Sequence, residues 1–385
     1  MILICEPICC DFEHAEVNAA LIIAVEKAFP REEIILFAEK GHLDRILFSL
    51  PPQIKGKIER KIISIPKRNS NDAIRFIGDW KTVRGVLNYA KTHKADKILF
   101  TSILSPSLIS IKIQRIFSPG PKMFIVVHSI LSTIKKLPKR WYLLAPLLFW
   151  FRNAIVVKNK GLNYIVYGEF IKENVIKLIP KLAPYLRVVD LPYLYSLPPS
   201  NELAGDKDVI KFAYFGVLNS GKRSQMLNDI IQHVRDKTNR RRAEFVHIGK
   251  SSQEKALTRE EFSARAAICD YAIYLHSPET YALTASGSLF DAFSYVKPVI
   301  ALRTPLFEYY FKKMGNIGYL FNNIDEMSKK IISILNDCFD NNKEYEKQLH
   351  NIIAGREKIS LDNIAEKIKN IMEKKNENSS YNNRF

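Results

Sequence analysis

Two short stretches in the second half of this 385-residue sequence carry residue types suited to holding phosphate. The first reads Phe215-Gly216-Val217-Leu218-Asn219-Ser220-Gly221-Lys222-Arg223-Ser224, with Gly216 and Gly221-Lys222 at the G-x4-G-K spacing of a phosphate loop between a strand and a helix. Such a loop needs Ser or Thr directly after its lysine to ligate magnesium, and Arg223 stands there instead. What remains is a glycine-permitted turn presenting Lys222 and Arg223 beside a helix start, which suits a diphosphate clamp without a metal. A nucleotide-hydrolysing loop and a plain exposed turn are the other readings. In the second stretch, Ala285, Ser286 and Gly287 are small residues opening a helix, so unpaired N–H groups and the positive end of a helix dipole become available to a phosphate. Asp291, one turn on, is placed to accept two hydrogen bonds from ribose hydroxyls, or simply to compensate the dipole.

The first half offers groups that move protons. His128 closes the apolar run Phe124-Ile125-Val126-Val127-His128, and Glu13 and His14 follow the first apolar run of the chain. An imidazole or carboxylate at such a strand end can take the proton of an attacking hydroxyl, the alternative being a structural histidine. His247 and His276 also end apolar runs, without a motif behind them; His42, His93, His233 and His350 are read as structural. Cys5, Cys9 and Cys10 lack a second ligand pair at zinc spacing, so with Cys269 and Cys338 they read as free thiols, and no metal site or cofactor is expected.

These residues need strand ends to hold them. Short β-type runs at Met1–Cys5, Ile34–Ala38, Lys61–Ile65, Lys97–Thr101 and Phe124–His128 alternate with helical stretches, the first placing Val17, Ala20, Leu21, Ala24, Val25 and Phe29 on one face and stopping at Pro30. A Pro-, Ser- and Tyr-rich linker from Leu191 to about Asp208 follows. A second series then runs Ile210–Phe215, Phe245–Ile248, Tyr271–Leu275 and Val299–Leu302, with helices from about Ser224, around Glu260–Ile268 and from Ser288. Strand–helix repetition means parallel sheets covered on both faces, so the fold class is α/β, with two Rossmann-like doubly wound domains expected to face a cleft. The expected division is 1–195, 209–355, a helix at 356–373 and a polar, disordered tail at 374–385.

A net charge of +18 favours anionic partners without choosing among them. The start MILIC has no charged leader and no stretch spans a bilayer, which leads to the expectation of a cytoplasmic protein. Trp141–Phe151, reading WYLLAPLLFWF behind Lys135, Lys136, Lys139 and Arg140, fits either a peripheral contact with the cytoplasmic membrane face or a buried helix with a solvated basic entrance, and Pro146 argues against one regular helix there.

Asp291-Ala-Phe-Ser-Tyr-Val-Lys-Pro298-Val-Ile-Ala301 resembles the E-A-x-A-x-G-x-P-V-I-A segment of GT-B glycosyltransferases, and Gly216 to Lys222 resembles their G-x-L-x-x-x-K loop. The resemblance is strongest over 210–320. It implies a metal-independent transfer of sugar from a nucleotide diphosphate-sugar to a glycan or lipid-linked acceptor of the surface-polysaccharide type, with Gly216, Lys222, Arg223, Ser286, Gly287 and Asp291 at the donor and a strand-end histidine such as His128 at the sugar. Glu308 resembles the acid that follows the P-V-I-A strand in that family. Two departures stand out: the Glu that retaining members carry eight residues before the ribose-binding acid is Leu283, which leaves stereochemistry open, with Glu279 an alternative carboxylate; and the common glycine before Lys-Pro is Val296. The rival readings are a nucleotide-sugar epimerase, which lacks G-x-G-x-x-G after the first strand, and a nucleic-acid-binding protein, for which no motif is present, so no nucleic acid is expected.

Overall fold

Ile2–Cys5, four consecutive apolar residues with fully buried side chains, forms the first strand (β1) and occupies an interior position of a seven-stranded parallel sheet, where both faces are covered and a strand must be apolar throughout. The structure is a computed structural model describing residues 1–67, 70–117, 120–139, 142–159, 161–195, 208–216, 223, 225–235, 237, 241–249, 257–336 and 340–374. Lys222, Trp141, Cys338, most of the expected linker and the tail from 375 lie outside the described residues.

The chain divides into two units, Met1–Leu194 with the chain from Ser360, and Tyr195–Ile359. In the first, β1 is followed by β2 (Ile34–Ala38), β3 (Ile58–Ile62), β4 (Lys97–Phe100), β5 (Lys122–Val126), β6 (Leu162–Tyr167) and β7 (Leu186–Val189), in the order β3-β2-β1-β4-β5-β6-β7. That is the Rossmann order with one added strand, and its direction of winding reverses between β1 and β4. β3 lies three residues earlier than the run 61–65 suggested. It is an edge strand with Ile58 buried and its other side chains largely outside, and its register is fixed by pairing Ile34 with Ile58 through Ala38 with Ile62.

The helix Ala15–Ala28 is apolar nearly all round because it is covered twice, by the sheet and by the helix Leu361–Glu373, which buries Ile364, Ala365, Ile368 and Met372 against the first unit. Lys27 meets Asp362 at 2.6 Å, and Lys367 meets the buried Asp190 just after β7 at 2.8 Å. The last helix of the described chain therefore completes the first unit.

The second unit holds β8 (Val209–Phe215), β9 (Arg242–Ile248), β10 (Tyr271–Tyr274), β11 (Val299–Leu302) and β12 (Gly318–Phe321), all parallel in the order β12-β11-β10-β8-β9. Counted from its own first strand this is 2-1-3-4-5, the other doubly wound order, reversing between β8 and β10. Its core is aromatic-rich, with Phe212, Tyr214 and Tyr271 packed against Ile273, Ile300, Met327 and Ile331.

Val296 follows the helix Gly287–Ser294 with φ 51°, while its N–H bonds Phe293 O and that of Lys297 bonds Ala292 O at 2.8 Å. This paired closure places a left-handed residue after the helix, the position at which glycine avoids a Cβ clash, and it explains the glycine of the resembled motif. A buried β-branched residue here is strained. Glycine at 296 is expected to be more stable than alanine at 296 by about 1 kcal/mol, the reverse of the usual ranking, as read from urea midpoints of the two variants.

Candidate functional site

The winding of the first sheet reverses between β1 and β4, and the residues just beyond those two strands are joined by one buried carboxylate. Glu6 accepts hydrogen bonds from Ile8 N (2.8 Å), Cys9 N (3.0 Å), Asn18 Nδ2 (3.2 Å), Thr101 Oγ1 (2.7 Å) and Ser102 Oγ. Glu6 and Asn18 are buried, and Asn18 also reaches His42 Nε2 at 2.9 Å while His42 Nδ1 donates to Asp11 O at 2.8 Å. The carbonyl accepts only, so His42 Nδ1 is the donor there and Nε2 accepts from Asn18. His42 is thus a structural member of the chain Glu6–Asn18–His42–Asp11, which holds the loop between β1 and the helix Ala15–Ala28.

That loop walls a cavity of about 510 Å³ whose lining includes Glu6, Cys10, Asp11, Glu13, His14, Arg75, Ser102, His128, Ser129 and Tyr167. Asp11 (φ 49°), His14 (φ 52°) and Ser129 (φ 55°) all take left-handed backbone, a concentration of strain typical of sites where side chains are held against local preference. His14, at the helix start, is exposed and meets the His128 ring edge-on at 5.4 Å; Tyr167 lies 5.5 Å from His128 on another side. Burial, with a smaller contribution from His14, pulls the His128 imidazole down to about 3, and its Nδ1 is buried without a hydrogen-bond partner. His128 therefore lines the cavity as a neutral imidazole, the form that a proton acceptor must have. Of the expected first-half residues, the structure gathers His128, His14 and Glu13 around one cavity. Glu6, Arg75, Thr101, Ser102 and Tyr167 are additional members; the one legible signal was a carboxylate immediately after an apolar strand.

In the second unit the corresponding reversal lies between β8 and β10. Gly216, at φ 90°, ends β8, and its carbonyl accepts from His247 Nε2 at 2.8 Å. A Cβ on Gly249 would lie 2.3 Å from Gly216 O, so the two strand ends touch through glycines. Arg223, at φ 49°, pairs at 3.6 Å with Glu279, which follows β10; both are solvent-accessible, so the pair orients more than it stabilises. His276, buried just beyond β10, contacts Ser286 Oγ at 3.0 Å and stacks on Tyr281 with centroids 3.9 Å apart. Ser286 in turn reaches Ser288 Oγ at 3.0 Å, so its hydroxyl links His276 to the start of the helix Gly287–Ser294. The Ser286 side chain makes no capping hydrogen bond to that helix start. Asp291 is half-buried on the same helix, and Tyr274 donates to Ser288 O at 2.5 Å. Glu308 stands in the first turn of the helix Pro305–Met314, after β11, paired with Arg303 at 3.2 Å. Leu283 is buried among core side chains, so no carboxylate occupies that position. His276 is the residue to which sequence reasoning attached no motif and which the structure couples to Ser286.

No family model matches this chain, and no curated protein matches it. Solved structures do. WaaG, a glycosyltransferase involved in lipopolysaccharide biosynthesis, aligns over 97% of this chain and 100% of its own with a TM-score of 0.60 at 13% identity. The apo form of the lipopolysaccharide outer core galactosyltransferase WaaB aligns over 96% and 98% with a TM-score of 0.58 at 15% identity. Arabidopsis thaliana UGT89C1 complexed with UDP-L-rhamnose aligns over 96% and 98% with a TM-score of 0.54 at 9% identity. Identities this low establish architecture alone: the chain has the two Rossmann-like domains of the GT-B fold.

Proposed function

We propose that this protein is a glycosyltransferase that moves a sugar from a nucleotide diphosphate-sugar to an acceptor hydroxyl. The observation that carries the reading is the near-complete alignment of both units with glycosyltransferases. In this reading the second unit takes the donor, with Lys222, Arg223, the Gly216 turn and the start of Gly287–Ser294 on the diphosphate, Asp291 on the ribose and Glu308 near the sugar. Stabilising the charge of the departing diphosphate is the main catalytic contribution, and cationic side chains with backbone N–H groups supply it without a metal. In the first unit His128, with His14 and Glu13 beside it, takes the acceptor proton.

The test is a thermal-shift panel of UDP, GDP, CDP, ADP and TDP. One diphosphate is expected to raise the melting temperature of the wild type, since about 100-fold excess over Kd adds about 2.7 kcal/mol, and to lose that effect in Lys222→Ala. No shift from any of them at millimolar concentration would sink the donor assignment.

The acceptor is proposed to be a lipid-linked or surface-glycan precursor, reached by peripheral contact at the inner membrane face of a cytoplasmic protein. Among the described residues no helix is long and apolar enough to cross a membrane. Instead, Pro146 lies in a short helix, Leu144–Leu148, followed by a second, Phe151–Val156. Leu137, Tyr142, Leu143, Leu144, Leu148 and Val157 are exposed beside the exposed Lys135, Lys136 and Lys139. The segment is braced from behind: the Lys112 ammonium, pulled down to about 7 by burial, donates to Ala154 O and Val157 O at 2.5 Å and to Ile155 O at 3.2 Å. Anchored apolar side chains among lysines suit an anionic lipid surface. Liposomes with anionic lipid are expected to float the wild type and to lose it when Lys135, Lys136 and Lys139 become Glu; equal flotation of both counts against the contact.

A further inference from the structure

The cavity of the first unit contains a cation that proton transfer does not require. Arg75 lies in the first turn of the helix Asp72–Thr92, lines the cavity with His14 and His128, and is 5% exposed. Its Nη2 reaches Pro66 O at a long 3.4 Å, and its Nη1 is buried without a hydrogen-bond partner. Among the described residues no carboxylate forms an ion pair with it. Asp79, on the same helix, accepts from Ser107 Oγ at 2.5 Å instead, and burial raises the pKa of Asp79. Glu6, which also lines the cavity, is already engaged by its five donors.

The position is built. Pro66 rests on Gly78 so closely that an added Cβ would come within 2.4 Å of Pro66 Cγ, so the segment bearing Arg75's one acceptor is seated on a helix position that admits no side chain. Asp72 and Asp79 on the same helix feel the Arg75 charge without pairing with it, and a guanidinium taken out of water with an idle donor is expensive because the hydrogen bond that water supplied is not replaced. An apolar occupant of the cavity would leave that penalty in place, and a neutral hydroxyl would relieve little of it. A phosphate or carboxylate would relieve it through charge-assisted hydrogen bonds in the geometry a guanidinium prefers.

We propose that Arg75 is the anion-recognising residue of the first-unit cavity, and that the acceptor is a glycan precursor carrying a phosphate or carboxylate. The acceptor assignment rests on the sugar-transfer reading; anion binding at Arg75 does not, so the two can fail separately.

The experiment is calorimetric titration of the full chain with inorganic phosphate, glucuronate and methyl glucoside, for wild type, Arg75→Lys and Arg75→Gln. Phosphate or glucuronate is expected to bind the wild type, whichever is tighter naming the anion. That affinity is expected to fall by at least about tenfold in Arg75→Gln and to fall less in Arg75→Lys. The melting temperature of Arg75→Gln without ligand is expected to equal or exceed that of the wild type, because a buried guanidinium with an unsatisfied donor has been removed. Equal anion affinity in wild type and Arg75→Gln, binding of methyl glucoside alone, or a markedly lower melting temperature in Arg75→Gln would each overturn the proposal. A nucleotide that stabilises the protein while phosphate binding ignores Arg75 would leave sugar transfer standing and remove this inference alone.

Discussion

Replacing Glu6 with alanine is expected to destabilise the first unit by about 3–5 kcal/mol, since it leaves buried donors without an acceptor and opens a void at the same point. Thr101 Oγ1, Asn18 Nδ2 and the Cys9 N–H would lose their partner together, and through Asn18 the loss reaches His42 and the strained Asp11 loop. Glu6→Gln keeps the shape but turns one acceptor oxygen into a donor group facing other donors, so an intermediate loss is expected. Urea unfolding of both variants, followed by tryptophan fluorescence and by far-UV circular dichroism, measures this. A change below about 1 kcal/mol for Glu6→Ala would mean that the carboxylate does not join the ends of β1 and β4.

The second large effect concerns His128. If it takes the acceptor proton, His128→Ala is expected to lower kcat by about 10²–10⁴-fold with little change in the KM for the donor. Retention of more than a tenth of the wild-type rate would remove it from that role. Its proton equilibrium makes a separate forecast. The folded value of about 3 lies below the ordinary value of about 6.5, so between them the unfolded chain binds a proton that the folded one refuses. Stability from this group is therefore complete above about pH 6.5 and is lost as the pH falls toward 3, with a slope of up to about 1.4 kcal/mol per pH unit. His128→Gln, which cannot titrate, is expected to flatten that part of the profile in urea midpoints taken at pH 7.5, 6 and 5. The same sign implies that transfer by the wild type does not decline through His128 protonation between pH 8 and pH 5.

Much of the second unit was legible because its motifs are local. Val299–Leu302 lies where the apolar run placed it, and Ser286 and Gly287 stand at a helix start. The Val296 departure even had a backbone meaning, visible once φ was known. The first-unit cavity was only half legible. His14 and His128 stood out by residue type, but Glu6 and Thr101 are 95 positions apart. No spacing rule joins them: they meet because strand order puts β1 beside β4, a long-range fact. β6 and β7 were not anticipated: Asn163 interrupts the apolar run of Leu162–Tyr167, and Leu186–Val189 is only four residues long and carries Arg187. β12 opens on Gly318, at φ 146°, pressed against the backbone of Val299, a weak strand signal in sequence and a required close approach in space.

The helix Leu361–Glu373 has a consequence for how the protein is made. Because it closes over Ala15–Ala28, the first unit cannot be finished when residue 194 leaves the ribosome; the whole second unit must be translated first. At about 5–20 residues per second, that interval lasts roughly 10–30 s, during which one apolar flank of an early helix stays uncovered in a growing chain. The nascent protein therefore presents a timed binding site for chaperones, and a chain terminated before Leu361 would keep that site open permanently.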